Sequence, residues 1–206
     1  LANEAQPFPT ADYSIFVAEV ASTFNEALVY RRAIEGAKTD DERLFLLSSW
    51  LDGMRGTFYR QAMFAEFERA IYKAAEGGTG LTGERLGDLY LDLLRKYHGS
   101  AQGVCAIDDL YRVEWAYIPH FYMNFYVFQY STGFAASTFL ARRALSGDPG
   151  AVGTYLDFLR AGGSGYPFEL LTRAGVDLSG PEPYRATIAE MNRVMDEIDA
   201  IVARRA

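Results

Sequence analysis

The chain has 206 residues, 50% of them hydrophobic, which is material enough for a sizeable core. Asp and Glu outnumber Lys and Arg by 27 to 20, giving a net charge of −7 and a pI near 4.9. That balance argues against a nucleic-acid-binding or anionic-membrane-binding surface, since either needs a basic patch.

No window approaches the ~18 consecutive apolar residues of a membrane span, and no basic stretch followed by an apolar core marks a signal peptide. Cys105 is the only cysteine. This excludes an intramolecular disulfide framework or a thiolate cluster and fits a reducing, cytoplasmic compartment. As a residue, Cys105 is expected to be a small buried hydrophobe. The chain begins at Leu1 without a methionine, which reads as a piece or processed product of a longer polypeptide.

In chain order, Gln6-Pro7-Phe8-Pro9-Thr10 is predicted to be extended, because each proline disfavours helix in the residue before it. A first helix is predicted over 11–35, stopping at Gly36. Within it, nearly every residue from Ile15 to Phe24 is apolar or small, the pattern of an interior helix. Glu19 stands in the middle of that run. An unpaired carboxylate there would cost several kcal/mol, so it calls for a cationic partner, a set of donors, a metal or a raised pKa. A plainer reading is one wet stripe, because Asp12, Ser22, Thr23 and Glu26 fall near the Glu19 side of the helix.

Thr39 with Glu42 makes a capping box, and helical spacing continues through Leu44, Leu47, Leu51, Met54 and Phe58 to about residue 75. Gly53 and Gly56 weaken it locally, which predicts a bend or a close helix crossing. After the Gly77-Gly78-Thr79-Gly80 joint, Thr82 caps a helix that ends at Tyr97, with His98 as a C-terminal cap. Residues 99–109 read as loop. Pro119 is predicted to start a helix that runs to about Leu145. Asp148-Pro149 opens another, ending at Gly162-Gly163-Ser164-Gly165. Short turns follow over 167–174, then a last amphipathic helix over 184–204 with Ile188, Met191, Val194, Met195, Ile198 and Val202 on one side. There is no strand pattern and no repeat, so the fold class is all-α. No linker rich in Gly, Pro or charge divides the chain, so a single domain over 1–206 is expected.

The run from Glu114 to Gly133 is rich in aromatics. His120 lies just after Pro119, in a predicted first helical turn where the positive helix end favours neutral imidazole. Tyr122, Tyr126 and Tyr130 follow four apart, which in a helix places their hydroxyls along one face. The alternative is an aromatic core helix whose tyrosines merely reach the surface. No phosphate-loop pattern and no Ser/His/Asp or Cys/His arrangement is present, and two histidines cannot by themselves build a metal site.

Four stretches carry a resemblance. The run from Tyr13 to Glu26 resembles the segment that follows the zinc motif in oligoendopeptidase F and its thimet-type zinc peptidase relatives. Phe58-Tyr59-Arg60-Gln61-Ala62-Met63-Phe64-Ala65-Glu66-Phe67-Glu68 agrees in order and spacing. So do Ile118-Pro119-His120-Phe121-Tyr122 through Tyr130-Ser131-Thr132-Gly133-Phe134-Ala135-Ala136, and Ala161-Gly162-Gly163-Ser164 with Tyr166-Pro167 and Ala174-Gly175-Val176-Asp177. The resemblance spans essentially the whole chain.

In that family two histidines of a His-Glu-x-x-His helix and a glutamate on a following helix bind zinc, and the motif glutamate is the general base. The resemblance implies the helical C-terminal part of a zinc metalloendopeptidase that cuts short peptides. It places the third zinc ligand at Glu19, which would explain an isolated carboxylate in an apolar helix. Glu26, two turns on, is implied as support for a ligand histidine. His120, Tyr126 and Tyr130 are implied as donors to peptide carbonyls or to the oxyanion, with Tyr122 a competing substrate contact. The chain departs from the family pattern in one respect: it has no His-Glu-x-x-His, and the family spacing puts that motif before Leu1. The polypeptide alone is therefore expected to be inactive and to bind zinc weakly or not at all. A different class of reading is a non-catalytic helical module for peptide binding or interaction. A third, a helical bundle without a site, predicts Glu19 paired to Arg or Lys. Oligomeric state is left open by the sequence.

Overall fold

A computed structural model describes residues 1–205, and all of their regular structure is helical, with no strand among the described residues. The helices are α1 (Ala2–Ala5), α2 (Phe8–Ala11), α3 (Ile15–Gly36), α4 (Asp40–Met54), α5 (Arg60–Glu76), α6 (Gly83–Tyr97), α7 (Phe128–Leu145), α8 (Ala151–Arg160), α9 (Pro167–Arg173) and α10 (Glu182–Arg205). A π-helical turn, Arg55–Tyr59, joins α4 to α5, and 3-10 turns cover Ser100–Gln102, Asp109–Tyr117 and Pro119–Tyr122. Among the described residues no helix is long and apolar enough to cross a membrane.

The chain forms two compact units: residues 1–55 with 132–206, and residues 56–131. It passes from one to the other inside helical segments, near Arg55 and near Thr132, so no linker composition marks either crossing.

In the first unit, α3 and α7 supply Val17, Val20, Phe24, Ala136, Leu140 and Ala141 to a core closed by Tyr155 and Phe158 of α8 and by Leu170 and Leu171 of α9. Burial of such side chains contributes ~2 kcal/mol each. Trp50 of α4 packs its ring 4.8 Å from Tyr30 and 5.7 Å from Phe134, and α10 lies along α4. Thr39 caps α4 as expected, its Oγ1 accepting the Glu42 N–H at 3.2 Å, while the Glu42 carboxylate reaches one residue further back and accepts the Lys38 N–H. The second unit is centred on Met63, Phe64 and Phe67 of α5 with Tyr90 and Leu94 of α6, and it takes in Ile118 and Val127.

Several expectations are corrected. Residues 7–11 are not simply extended: Pro7 is the N-cap and Pro9 sits in the first turn of α2, where its missing N–H costs nothing. The long helix therefore starts at Ile15, after an extended Ser14. No helix runs from Pro119 to Leu145; a 3-10 turn and a break precede α7. Asp148-Pro149 lies one turn before α8, whose N-cap is Gly150. On α10 the inward face is Ala186, Thr187, Met191, Val194 and Ile201, while Ile188, Met195 and Val202 are exposed. Met191 and Val194 of the expected stripe do face inward, but the buried face is rotated to take in Ala186, Thr187 and Ile201. Cys105 is exposed, in the irregular stretch between two 3-10 turns, and not buried.

Two features of the first unit give stability predictions. Tyr155 stacks on Phe24 at 3.7 Å between ring centroids, and its buried hydroxyl has no hydrogen-bond partner among the described residues. Burial pushes its pKa up to about 12. Tyr155→Phe keeps the ring and removes the orphan, so it is expected to stabilise the protein by about 1 kcal/mol, read from the urea midpoint. Gly162 and Gly163 abut the segment that leads into α3: Gly163 N–H donates to the Thr10 carbonyl at 2.9 Å, and a Cβ on Gly163 would lie 2.4 Å from the Asp12 carbonyl oxygen. Gly163→Ala is expected to cost about 2 kcal/mol, because backbone must move. Gly153→Ala, in the first turn of α8 with open space around it, should instead gain up to ~1 kcal/mol in the same denaturation series.

Candidate active site

Glu19 is set by the crossing of α3 and α7. Gly133 makes the approach close: a Cβ there would stand 3.1 Å from the Cβ of Glu19 and 3.7 Å from the Val20 nitrogen. One turn further along both helices, Thr23 Oγ1 lies 2.7 Å from Ser137 Oγ and 2.6 Å from the Glu19 carbonyl oxygen. Small and hydroxylated residues at 133 and 137 thus clamp the α3 backbone on either side of the glutamate. Hydroxyls bound to carbonyls in this way satisfy polar groups inside the contact without an added charge.

The Glu19 side chain is half-buried. Its carboxyl is held above the usual carboxylate range, first by burial and then by the charge of Glu26. Among the described residues, neither glutamate takes part in an ion pair. Among the described residues, Glu19 has no ion pair of the kind that the site-free bundle predicts. Glu26 itself is exposed on the same helix. No group of three or more His, Cys, Asp or Glu able to hold a metal occurs among the described residues. Glu19 fits one ligand's share of such a site, a carboxylate held out of bulk water with no counter-charge.

In the second unit the structure brings His120, Tyr126 and Tyr130 together. The His120 ring stacks on Tyr126 with centroids 5.5 Å apart and meets the edge of Tyr130 at 5.9 Å, while Tyr126 and Tyr130 are 5.7 Å apart. All three are half-buried. Their neighbours in sequence do the anchoring. Ile118 and Val127 are in the core, and Phe121 packs edge-on against Phe64 and Phe67 at 5.2 and 5.1 Å.

This clustering has a different origin from the one the spacing suggests. His120 sits in a four-residue 3-10 turn, not at the start of a long helix, so the helix-end argument for its neutral form does not apply. Tyr122 stands apart: its hydroxyl donates to the Ala116 carbonyl at 2.8 Å and its side chain is exposed. The chain then turns at Asn124 and Phe125 before α7 begins. Phe125 has φ of 51° and is the one non-glycine residue in the left-handed region among those described.

The supports of this turn were missed by sequence reasoning. Glu68, 2% exposed, accepts the Phe125 N–H at 2.8 Å. Burial raises its pKa and that hydrogen bond lowers it, burial being the larger effect. The Tyr72 hydroxyl donates to Asn124 Oδ1 at 2.6 Å. Ser131 donates to the Phe58 carbonyl, in the π-helical turn, at 2.9 Å. The only available signal was a glutamate inside the apolar stretch Phe64-Ala65-Glu66-Phe67-Glu68. The other His, His98, acts as anticipated, with Nδ1 2.8 Å from the Leu94 carbonyl oxygen at the end of α6.

Residues 1–190 match the sequence family described as peptidase family M3. The chain belongs to that family. Among curated relatives, it is 44% identical to oligopeptidase PepF of Bacillus subtilis over 199 residues, covering 97% of this chain and 29% of that protein. It is 42% identical to the group B oligopeptidase PepB of Streptococcus agalactiae, covering 98% of this chain and 33% of that protein. The chain thus spans about a third of the length of the curated relatives it matches. The crystal structure of oligoendopeptidase-F from Enterococcus faecium superposes with a TM-score of 0.85 at 38% identity, covering 93% of this chain and 36% of that one. A putative peptidase from Chlamydophila abortus gives 0.89 at 37%, covering 97% and 33%. The all-α fold read from the sequence is that of the matching parts of these structures.

Proposed function

We propose that this chain is the helical C-terminal part of a zinc-dependent metalloendopeptidase that hydrolyses short peptides. The observation that carries the reading is Glu19, a half-buried carboxylate with a raised pKa and no ion-pair partner among the described residues. A carboxylate in that condition is stabilised by a divalent cation, and Zn²⁺ takes Asp or Glu oxygen readily beside imidazole. Two histidines and a general base from elsewhere in the full-length protein would complete the set, since this chain has no His-Glu-x-x-His. Zinc in such a site supplies Lewis acidity toward the scissile carbonyl and lowers the pKa of water.

The chain's own residues then have two kinds of work. Glu19 contributes one negative oxygen ligand, and Glu26, two turns along the same helix, orients and polarises a ligand imidazole. His120, Tyr126 and Tyr130 present a ring N–H and two phenol O–H groups to the substrate carbonyl and to the oxyanion that develops from it. Each such donor contributes about 3 kcal/mol to transition-state stabilisation. Stacking among the three rings limits their rotamers, so little order has to be imposed during reaction. The polypeptide by itself is expected to be inactive and to bind zinc weakly. A compartment that keeps Cys105 reduced, the cytoplasm, accompanies this reading.

The full-length protein should cleave short internally quenched peptides, lose activity to a chelator and regain it with Zn²⁺. Tight peptide binding without cleavage at any metal loading would overturn the peptidase reading in favour of a binding module.

A further inference from the structure

We propose that Glu68 is a positioning residue for His120, Tyr126 and Tyr130, acting through its hydrogen bond to the Phe125 amide as the lock that interrupts the helix before α7. The inference rests on the peptidase reading for its catalytic consequence, and on geometry alone for the lock itself.

Two costly features face each other here. Glu68 is the one carboxylate buried among the described residues, and a carboxyl group taken from water needs a donor. Phe125 occupies a left-handed backbone conformation, which is disfavoured for a non-glycine residue. The Phe125 N–H supplies that donor at 2.8 Å, so each feature sustains the other. One turn along α5, Tyr72 adds a second grip: its hydroxyl holds Asn124 and its ring lies 4.5 Å from that of Phe125. The outer flanks of the turn are fixed by Phe121 and Val127 in the core of the same unit.

The local sequence favours the opposite outcome. Nothing from Tyr122 to Gln129 is a strong helix breaker, and the spacing from Pro119 onward reads as a continuous helix. In that helix His120 and Tyr126, six residues apart, would be separated by about 9 Å along the axis and about 240° around it. The 5.5 Å stack of their rings is then impossible. The break is what makes the cluster, and a tertiary contact to α5 is what holds the break.

The test uses the full-length protein and two variants. Glu68→Gln keeps an acceptor in place; Glu68→Met keeps the volume and removes the acceptor. The expected result is a kcat within about twofold of wild type for Gln and roughly 100-fold lower for Met, with KM and bound zinc little changed, the cost of a misplacement of about 1 Å. Amide hydrogen exchange reads the lock directly: Phe125 should be protected in wild type and Glu68→Gln and lose protection in Glu68→Met. Equal protection in all three overturns the lock. Tyr130→Phe, run alongside, separates the two claims: if it lowers kcat while Glu68→Met does not, the positioning role is wrong; if neither lowers kcat, the catalytic reading of the cluster fails, and the exchange result decides the lock. Should Glu68→Met not fold, Tyr72→Phe, which removes the hydroxyl on Asn124, is expected to lower kcat and Phe125 protection in the same direction, and no change in either overturns the proposal.

Discussion

In the full-length protein, Glu19→Gln is expected to remove most of the bound zinc and with it nearly all peptide hydrolysis. The substitution preserves size and the α3 packing, because the contacts of Glu19 with Gly133 and Thr23 involve its Cβ and backbone carbonyl and not its carboxylate. What it removes is the negative charge. A catalytic zinc held by three protein groups loses one of them, and since outer partners alone are worth 10–100-fold in affinity, a direct ligand should exceed roughly 100-fold. Folding should survive or improve, because a half-buried carboxylate whose pKa is raised by burial and by Glu26 is itself a small destabilisation when no cation is present. Metal analysis after dialysis and a thermal melt together check this. Full zinc occupancy in the variant would remove Glu19 from the ligand set.

Tyr130→Phe in the same protein is expected to lower kcat by roughly 100-fold with little change in KM, the loss of one donor that binds more strongly in the transition state than in the ground state. The ring contacts of Tyr130 with His120 and Tyr126 are retained by phenylalanine, so the cluster itself should persist. Tyr126→Phe serves as the comparison. If the stack of His120 on Tyr126 is mainly a way of orienting the imidazole, its loss of hydroxyl should cost less than that of Tyr130. Unchanged kcat in Tyr130→Phe would return that hydroxyl to a structural role.

What could be read from the sequence was what is locally encoded. The capping threonines at 39 and 82 mark helix starts because their hydroxyls accept the first free amides, Glu42 N–H at 3.2 Å and Arg85 N–H at 3.3 Å. The apolar run around Glu19 suggested an interior helix, but α3 buries one face only, Val17, Val20, Thr23 and Phe24, and leaves Ser22 and Glu26 exposed on the polar stripe that the plainer reading expected beside Glu19. What could not be read was decided by partners distant in sequence. The break before α7 depends on Glu68 and Tyr72, more than 50 positions upstream of the residues they hold. The inward face of α10 is set by its packing partners elsewhere in the chain, and it buries Ala186 while Ile188 stays exposed. Spacing placed Tyr126 and Tyr130 near each other, but Tyr126 lies before α7 begins at Phe128, so their contact, like that of His120, depends on the break and not on a continuous helix.

The second unit is an uninterrupted stretch of chain, whereas the first is assembled from segments on either side of it. As the polypeptide leaves the ribosome, residues 56–131 are complete before most of α7 is made, so the cluster of His120, Tyr126 and Tyr130 should acquire its native form early. The helix that carries Glu19 must wait for a partner synthesised more than 100 residues later, when Ser137 reaches Thr23. Until then its apolar surface is uncovered, and that interval is where chaperone dependence and aggregation of newly made protein should concentrate.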